Sequence, residues 1–189
     1  LQWDPGLGPM VLKTNGGALA AGLDALKTGL SGSLSSGLHH ARRAKGLGYC
    51  TFNGLAIAAR AALAAGARAV LILDLDAHCG GGTAELVADE PRIWQQDVSV
   101  DDFDSYASSE RVQLFMVRDS AAYLDQVRAR LQWADACGVP FDLCLYNAGM
   151  DPYQGSADGG LEGITRKMLA EREDIVFDWC RKRNLNMAF

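Results

Sequence analysis

Apolar and polar positions succeed one another along the chain in two different periods, and their order predicts the architecture. Residues 56–65 are rich in alanine and leucine, with Asn53 before them as a helix cap and Gly66 after them as a helix stop. A helix is predicted there. Residues 69–75 (Ala-Val-Leu-Ile-Leu-Asp-Leu) follow at once as a nearly unbroken apolar run, too short for a typical helix. Such a run predicts a strand covered on both faces. Residues 112–117 are strand-like again, and residues 120–137 carry Tyr123, Val127, Leu131 and Ala134 on one helical stripe that Gly138-Val-Pro140 ends. Residues 142–146 predict another strand. Over residues 165–182, Met168, Leu169, Ile175, Val176, Trp179 and Cys180 recur at helical spacing, with Thr165 as cap and basic residues 181–183 at the negative end of the helix dipole. Residues 186–189 resemble the start of a further strand.

This succession predicts right-handed βαβ units, hence an α/β fold of three layers with a mostly parallel sheet between helices. No repeat, low-complexity tract or linker divides the chain, so residues 1–189 are read as one domain. The chain opens on Leu1 rather than Met and closes inside an element that must pair. A fragment is expected, with an edge strand and apolar helix faces uncovered and with marginal stability.

Composition narrows the function classes. With 189 residues, 49% apolar and 22% charged, the chain can bury a core and is not of disordered type. A net charge of −5 argues against direct nucleic-acid binding, which draws on clustered Lys and Arg. Apolar runs fall far short of the roughly 20 residues that span a bilayer, so no membrane segment is expected. The first ten residues lack the order of a signal peptide. Five cysteines, an odd number without zinc-site or disulfide spacing, predict a reducing, cytoplasmic location.

The candidate chemistry lies at two predicted strand ends, where open α/β sheets bind ligands. One reads Asp74-Leu-Asp76-Ala-His78-Cys-Gly-Gly-Gly82, the other Tyr146-Asn-Ala-Gly-Met-Asp151-Pro. In extended backbone Asp74, Asp76 and His78 share a face. An Asp and the imidazole so placed, joined by Asp151, make a two-Asp, one-His site for a divalent ion with one position open, as a catalytic zinc needs. The same residues can cap a loop, with His78 an ordinary turn residue; Asp151 at a second strand end favours metal. His39 and His40 are the other two of only three histidines and lie in a Gly/Ser-rich segment. A loop pair of this kind is often merely exposed, and it shares catalytic work only where each ring has an orienting partner.

Gly37-Leu-His39-His40-Ala, Gly48-Tyr49-Cys50-Thr-Phe-Asn53, Asp74-Leu-Asp76-Ala-His78 and Tyr146-Asn-Ala-Gly-Met-Asp151-Pro occur in an order and spacing that resemble the histone deacetylase and acetylpolyamine amidohydrolase superfamily, across residues 15–189. The resemblance implies an arginase/deacetylase-like fold and metal-assisted hydrolysis of N-acetylated amines, acetyl-lysine or acetylpolyamine. It implies Asp76, His78 and Asp151 as ligands of zinc, or of another divalent ion such as iron(II). His39 and His40 would be the active-site histidines, with Asp74 orienting the first. Asp74 and Ser99 would help to hold a structural potassium or sodium ion, and Gly48 and Tyr49 would line the channel for the acylated amine.

Three departures stand out. Gly81 occupies the position of the Asp that in many members orients the second histidine, so that residue does not set the basicity of His40 here. Cys79 follows the metal His, which places a candidate reactive thiol beside the metal. The family's oxyanion-stabilising Tyr is expected beyond residues 186–189, and its first strands are expected before this chain. Losing one such donor costs about a hundred- to thousandfold in rate, so a domain that only binds metal and acyl-amine is the alternative to an enzyme. A two-manganese ureohydrolase-like site is a weaker alternative, because Asp76-Ala-His78 matches its motif but Gly80 stands where the next ligand belongs.

Overall fold

The computed structural model describes residues 4–189. In chain order the elements are α1 (Leu7–Thr28), β1 (Leu30–Ser31), α2 (Gly54–Ala64), β2 (Val70–Asp74), α3 (Gly81–Val87), β3 (Ile93–Ser99), β4 (Val112–Met116), a 3-10 turn (Ser120–Ala122), α4 (Tyr123–Ala136), β5 (Leu143–Asn147), α5 (Arg166–Arg183) and β6 (Asn186–Ala188). The strands form one sheet in the order β1-β6-β5-β2-β3-β4, and every neighbouring pair is parallel. The α/β class and the parallel sheet between helices read from the sequence are thus present.

Strand alternation divides the core into two layers. Val70 and Ile72 of β2, with Leu143 and Leu145 of β5, face α1, α2 and α3; Leu71, Leu73, Cys144 and Tyr146 face α4 and α5. Both faces of these strands are therefore apolar, which is why they read as unbroken runs. The α2 cap is as predicted, with the Asn53 side chain accepting the Ala56 N–H, and Thr165 caps α5 by accepting the Met168 N–H. On α4 the stripe Tyr123, Val127, Leu131 and Ala134 is the buried face.

The structure adds α1, β1, α3 and β3. α1 contains Gly8, Gly16, Gly17 and Gly22, which weaken helical propensity, and it is held by tertiary packing instead. Its Gly22 lies so close to α2 that a Cβ there would sit 3.4 Å from the Ala58 methyl. β3 carries Gln95, Gln96 and Asp97, all fully buried, so its centre has no apolar signature. β6 lies between β5 and β1, and β1 and β4 are the edge strands.

Chain order along the sheet reverses between β2 and β5: β3 and β4 extend one way, β6 and β1 the other. Loops leaving β2 and β5 diverge there and open a crevice above their carboxyl ends. The link from β3 to β4, residues 100–111, crosses that same edge without a helix or strand of its own. Among the described residues, no helix is long and apolar enough to cross a membrane.

Candidate active site

The ligand-bearing loop departs from the extended geometry expected of it. β2 ends at Asp74, and the chain then turns: the Asp76 N–H donates to Asp74 Oδ1 (3.3 Å) and the His78 N–H to Asp76 Oδ1 (2.9 Å). Carboxylates that capture nearby N–H groups compete with strand pairing. Asp74, Asp76 and His78 therefore do not share one face: Asp74 is buried beneath the cleft, whereas Asp76 and His78 line it with Asp151.

Asp151 arrives from the β5 loop, its Oδ1 accepting the Ala77 N–H at 3.0 Å. The approach of the two loops leaves no room for a side chain at Gly149, where a Cβ would sit 2.9 Å from both Asp76 Oδ2 and Asp151 Oδ1. Beneath them the fully buried Arg172 donates to the carbonyls of Leu75 (3.0 Å) and Gly149 (2.8 Å) and to the Tyr123 hydroxyl (3.0 Å). One guanidinium thus ties both loops to the α5 layer.

Asp76, His78 and Asp151 each offer a ligand atom within 4.8 Å of the others, and among the described residues they are the only such group of His, Cys, Asp or Glu. His78 Nδ1 lies 3.1 Å from Asp76 Oδ1 and 3.1 Å from Asp151 Oδ2. Hydrogen bonding to Asp151 and Asp76 raises the His78 pKa to about 10, against the effect of burial. Burial works against ionisation of Asp76, yet His78 and His39 bring its pKa down to about 2. Two carboxylates converging on one ring nitrogen form a strong cation field, open to a proton or to a metal ion that displaces it.

His39 and His40 are both buried, not exposed. His39 Nδ1 lies 2.7 Å from Asp74 Oδ2, while Asp74 Oδ1 accepts from the Asn147 side chain at 2.8 Å. Burial disfavours charge on His39, but the Asp74 carboxylate, with Asp76 and Asp97 further off, outweighs it and lifts the pKa to about 10. The His39 and His40 Nε2 atoms face each other at 3.1 Å, a separation at which one donates and the other accepts. His40 Nδ1 lies 3.1 Å from Asp104 Oδ2, so the departure at Gly81 does not leave His40 without a carboxylate.

The cleft has a volume of about 870 Å³ and is walled by Gly48, Tyr49, Leu38, Phe103 and residues 156–159. Tyr49 is 92% exposed, and Phe103 stands edge-on to His40 and His78, with ring centroids 5.0 and 6.1 Å away. Of the four non-glycine residues with positive φ among the described residues, Leu38, Tyr49 and Asp104 belong to these loops; the fourth, Asn184, ends α5. Strained backbone thus concentrates around the site. Ser99, on β3, donates to the His78 carbonyl at 3.2 Å. Cys79 is fully buried, against the Asp101 carbonyl and Met116, and burial pushes its thiol up to about 12. It is a packed thiol, and the expectation of a reactive one beside the metal falls.

Sequence reasoning missed Asp104, Phe103 and Arg172. The first two follow β3, whose polar centre hid the strand and with it the fact that its loop reaches the crevice. Arg172 carries no local signal, since its partners Leu75 and Gly149 are remote in sequence.

Comparison with known proteins accords with this geometry. The family described as the histone deacetylase domain matches residues 5–189. An uncharacterised protein of Picosynechococcus is 33% identical over 184 residues, covering 95% of this chain and 61% of its own length. Histone deacetylase 2 of Arabidopsis thaliana is 28% identical over 183 residues, covering 93% and 47%. The chain thus spans about half to three-fifths of the length of these relatives. The crystal structure of an acetylpolyamine aminohydrolase from Burkholderia pseudomallei superposes with a TM-score of 0.77 at 21% identity, over 93% of this chain and 54% of that one, a likeness of fold. Matched over nearly its whole length, the chain belongs to the histone deacetylase domain family.

Proposed function

We propose that the protein hydrolyses N-acetylated amines, acetyl-lysine or acetylpolyamine, with one divalent ion, zinc or alternatively iron(II), held by Asp76, His78 and Asp151. The observation that carries this reading is the convergence of those three ligand atoms within 4.8 Å beside a buried, carboxylate-bound histidine pair. An oxygen, nitrogen, oxygen donor set suits zinc, and three protein ligands leave a position for substrate. When bound, such an ion polarises the acyl carbonyl and makes water a competent nucleophile near neutral pH.

The chain's own residues supply the rest. Asp74 fixes the His39 ring, so that its Nε2 faces His40. The pair takes the proton of the attacking water and returns it to the departing amine nitrogen; with 3.1 Å between the Nε2 atoms, a proton on one ring is within reach of the other. Gly48 and Tyr49, with Phe103, wall the cleft with surface suited to a methylene stem. Asp74 and Ser99, close beneath the metal loop, are the groups we assign to a structural potassium or sodium ion. Residues 1–189 form part of one deacetylase-like domain in this reading. Relatives that bear the names histone deacetylase and acetylpolyamine aminohydrolase support the substrate class.

The test is release of acetate from a fluorogenic acetyl-lysine substrate and from acetylated polyamines. Turnover is expected to vanish on chelation, to return with zinc, and to fall at least a hundredfold, about what a proton-transfer group contributes, in His40→Ala. Turnover that survives both treatments would overturn the mechanism, and metal binding without turnover would favour a domain that only binds.

A further inference from the structure

On the amide-hydrolase reading above, we propose that Asp104, carried by the β3–β4 link, is the positioning residue of His40, and that Gly81 lacks a side chain because Asp104 occupies its space. Asp104 Oδ2 lies 3.1 Å from His40 Nδ1 and also accepts the Gly82 N–H at 3.1 Å, while Oδ1 pairs with the Arg42 guanidinium. Its side chain is only 2% exposed, so these three donors are what hold a carboxylate there. Burial raises the Asp104 pKa, but His40 and Arg42 outweigh it and keep the group below the usual range.

Gly81 and Asp104 are mutually exclusive in shape. A Cβ at Gly81 would lie 2.8 Å from both Asp104 Oδ1 and the Arg42 guanidinium, and closer still to the Asp104 carbonyl oxygen. Any side chain at position 81 would displace the link that carries the carboxylate. Asp104 itself has φ 60°, a left-handed conformation that Asp tolerates better than most residues and that the packed link maintains here.

The chemical consequence concerns the tautomer. A carboxylate at Nδ1 fixes the proton on that nitrogen and leaves the Nε2 lone pair free. His40 Nε2 is the atom that faces His39, and Phe103 packs edge-on against the ring with centroids 5.0 Å apart. Asp104 thus sets His40 as a proton acceptor before substrate arrives. Arg42, which pairs with both Asp104 and Glu85, holds the carboxylate from behind.

Two variants test this. Asp104→Gly removes the carboxylate and relaxes the left-handed backbone; Asp104→Asn keeps the shape and loses the charge. The chain has only three histidines, so nitrogen-15 side-chain spectra resolve His40 individually. In Asp104→Gly the His40 Nδ1–H signal is expected to be lost, and kcat to fall about 10- to 100-fold with KM within about twofold. Asp104→Asn should fall between that variant and the wild type. An unchanged His40 spectrum, or a wild-type kcat in Asp104→Gly, would overturn the assignment. Wild-type protein that turns over neither substrate would instead refute the hydrolase reading, and the spectra would still decide the role of Asp104.

Discussion

At the scale of residues, the site is a set of buried ionisable groups whose states depend on their neighbours. Asp97 sits on β3 opposite Asp74 of β2, fully buried, with the Gln95 side chain and the Gly80 N–H donating to it and Tyr106 alongside. Burial, and then repulsion from Asp74, raise its pKa from 3.8 to about 8. The folded chain therefore keeps a proton that the unfolded chain releases above about pH 4. Because the native state binds more protons across this window, stability falls as pH rises from about 4 to about 8, by at most about 1.4 kcal/mol per pH unit. Asp97→Asn should remove that slope. Urea unfolding from pH 4 to 9 checks it: the advantage of the variant over the wild type should grow with pH, and a constant difference would mean that Asp97 holds no proton. The sequence revealed Asp76, His78 and Asp151 because they lie just past recognisable apolar strands. Asp104 was not legible, since its partners His40 and Arg42 are 64 and 62 residues away and no local pattern links them.

At the scale of elements, apolar periodicity was informative wherever burial is apolar. β2, β5, α2 and α5 are such cases, and their caps Asn53 and Thr165 were readable as well. β3 failed the same test because its central buried positions are polar: Gln95, Gln96 and Asp97 interrupt the apolar run, and the Gln95 amide donates to the Gly80 carbonyl and the Tyr106 hydroxyl. α1 failed because its glycines lower its intrinsic propensity, and one of them, Gly22, sits in close contact with α2. That contact yields a prediction: Gly22→Leu should destabilise the protein by about 1–3 kcal/mol through overpacking against Ala58, Leu143 and Leu145. Gly16→Leu is the control, since a Cβ at position 16 meets nothing within 4 Å. Equal chemical denaturation midpoints for the two variants would show that the α1–α2 contact is not tight.

At the scale of the whole molecule, the crevice follows from topology. Chain order in the one continuous parallel sheet reverses between β2 and β5, and loops from β2, β3 and β5 meet over the crevice with the segment that bears His39 and His40. The succession of strand and helix in the sequence was enough to predict this class of fold, while the strand order needed the structure. Arg172 joins the loops that bear Asp76 and Asp151 to the α5 layer, so the site and the core share one support. An ion that binds only the folded state should therefore also stabilise the whole chain.

The most direct check is a calorimetric titration of zinc into chelator-stripped protein, with Asp151→Asn measured in parallel. We predict one site per chain, with proton release as the ion replaces the proton on His78, and loss of that site in the variant. No binding by the wild type, or undiminished binding by Asp151→Asn, would contradict the account.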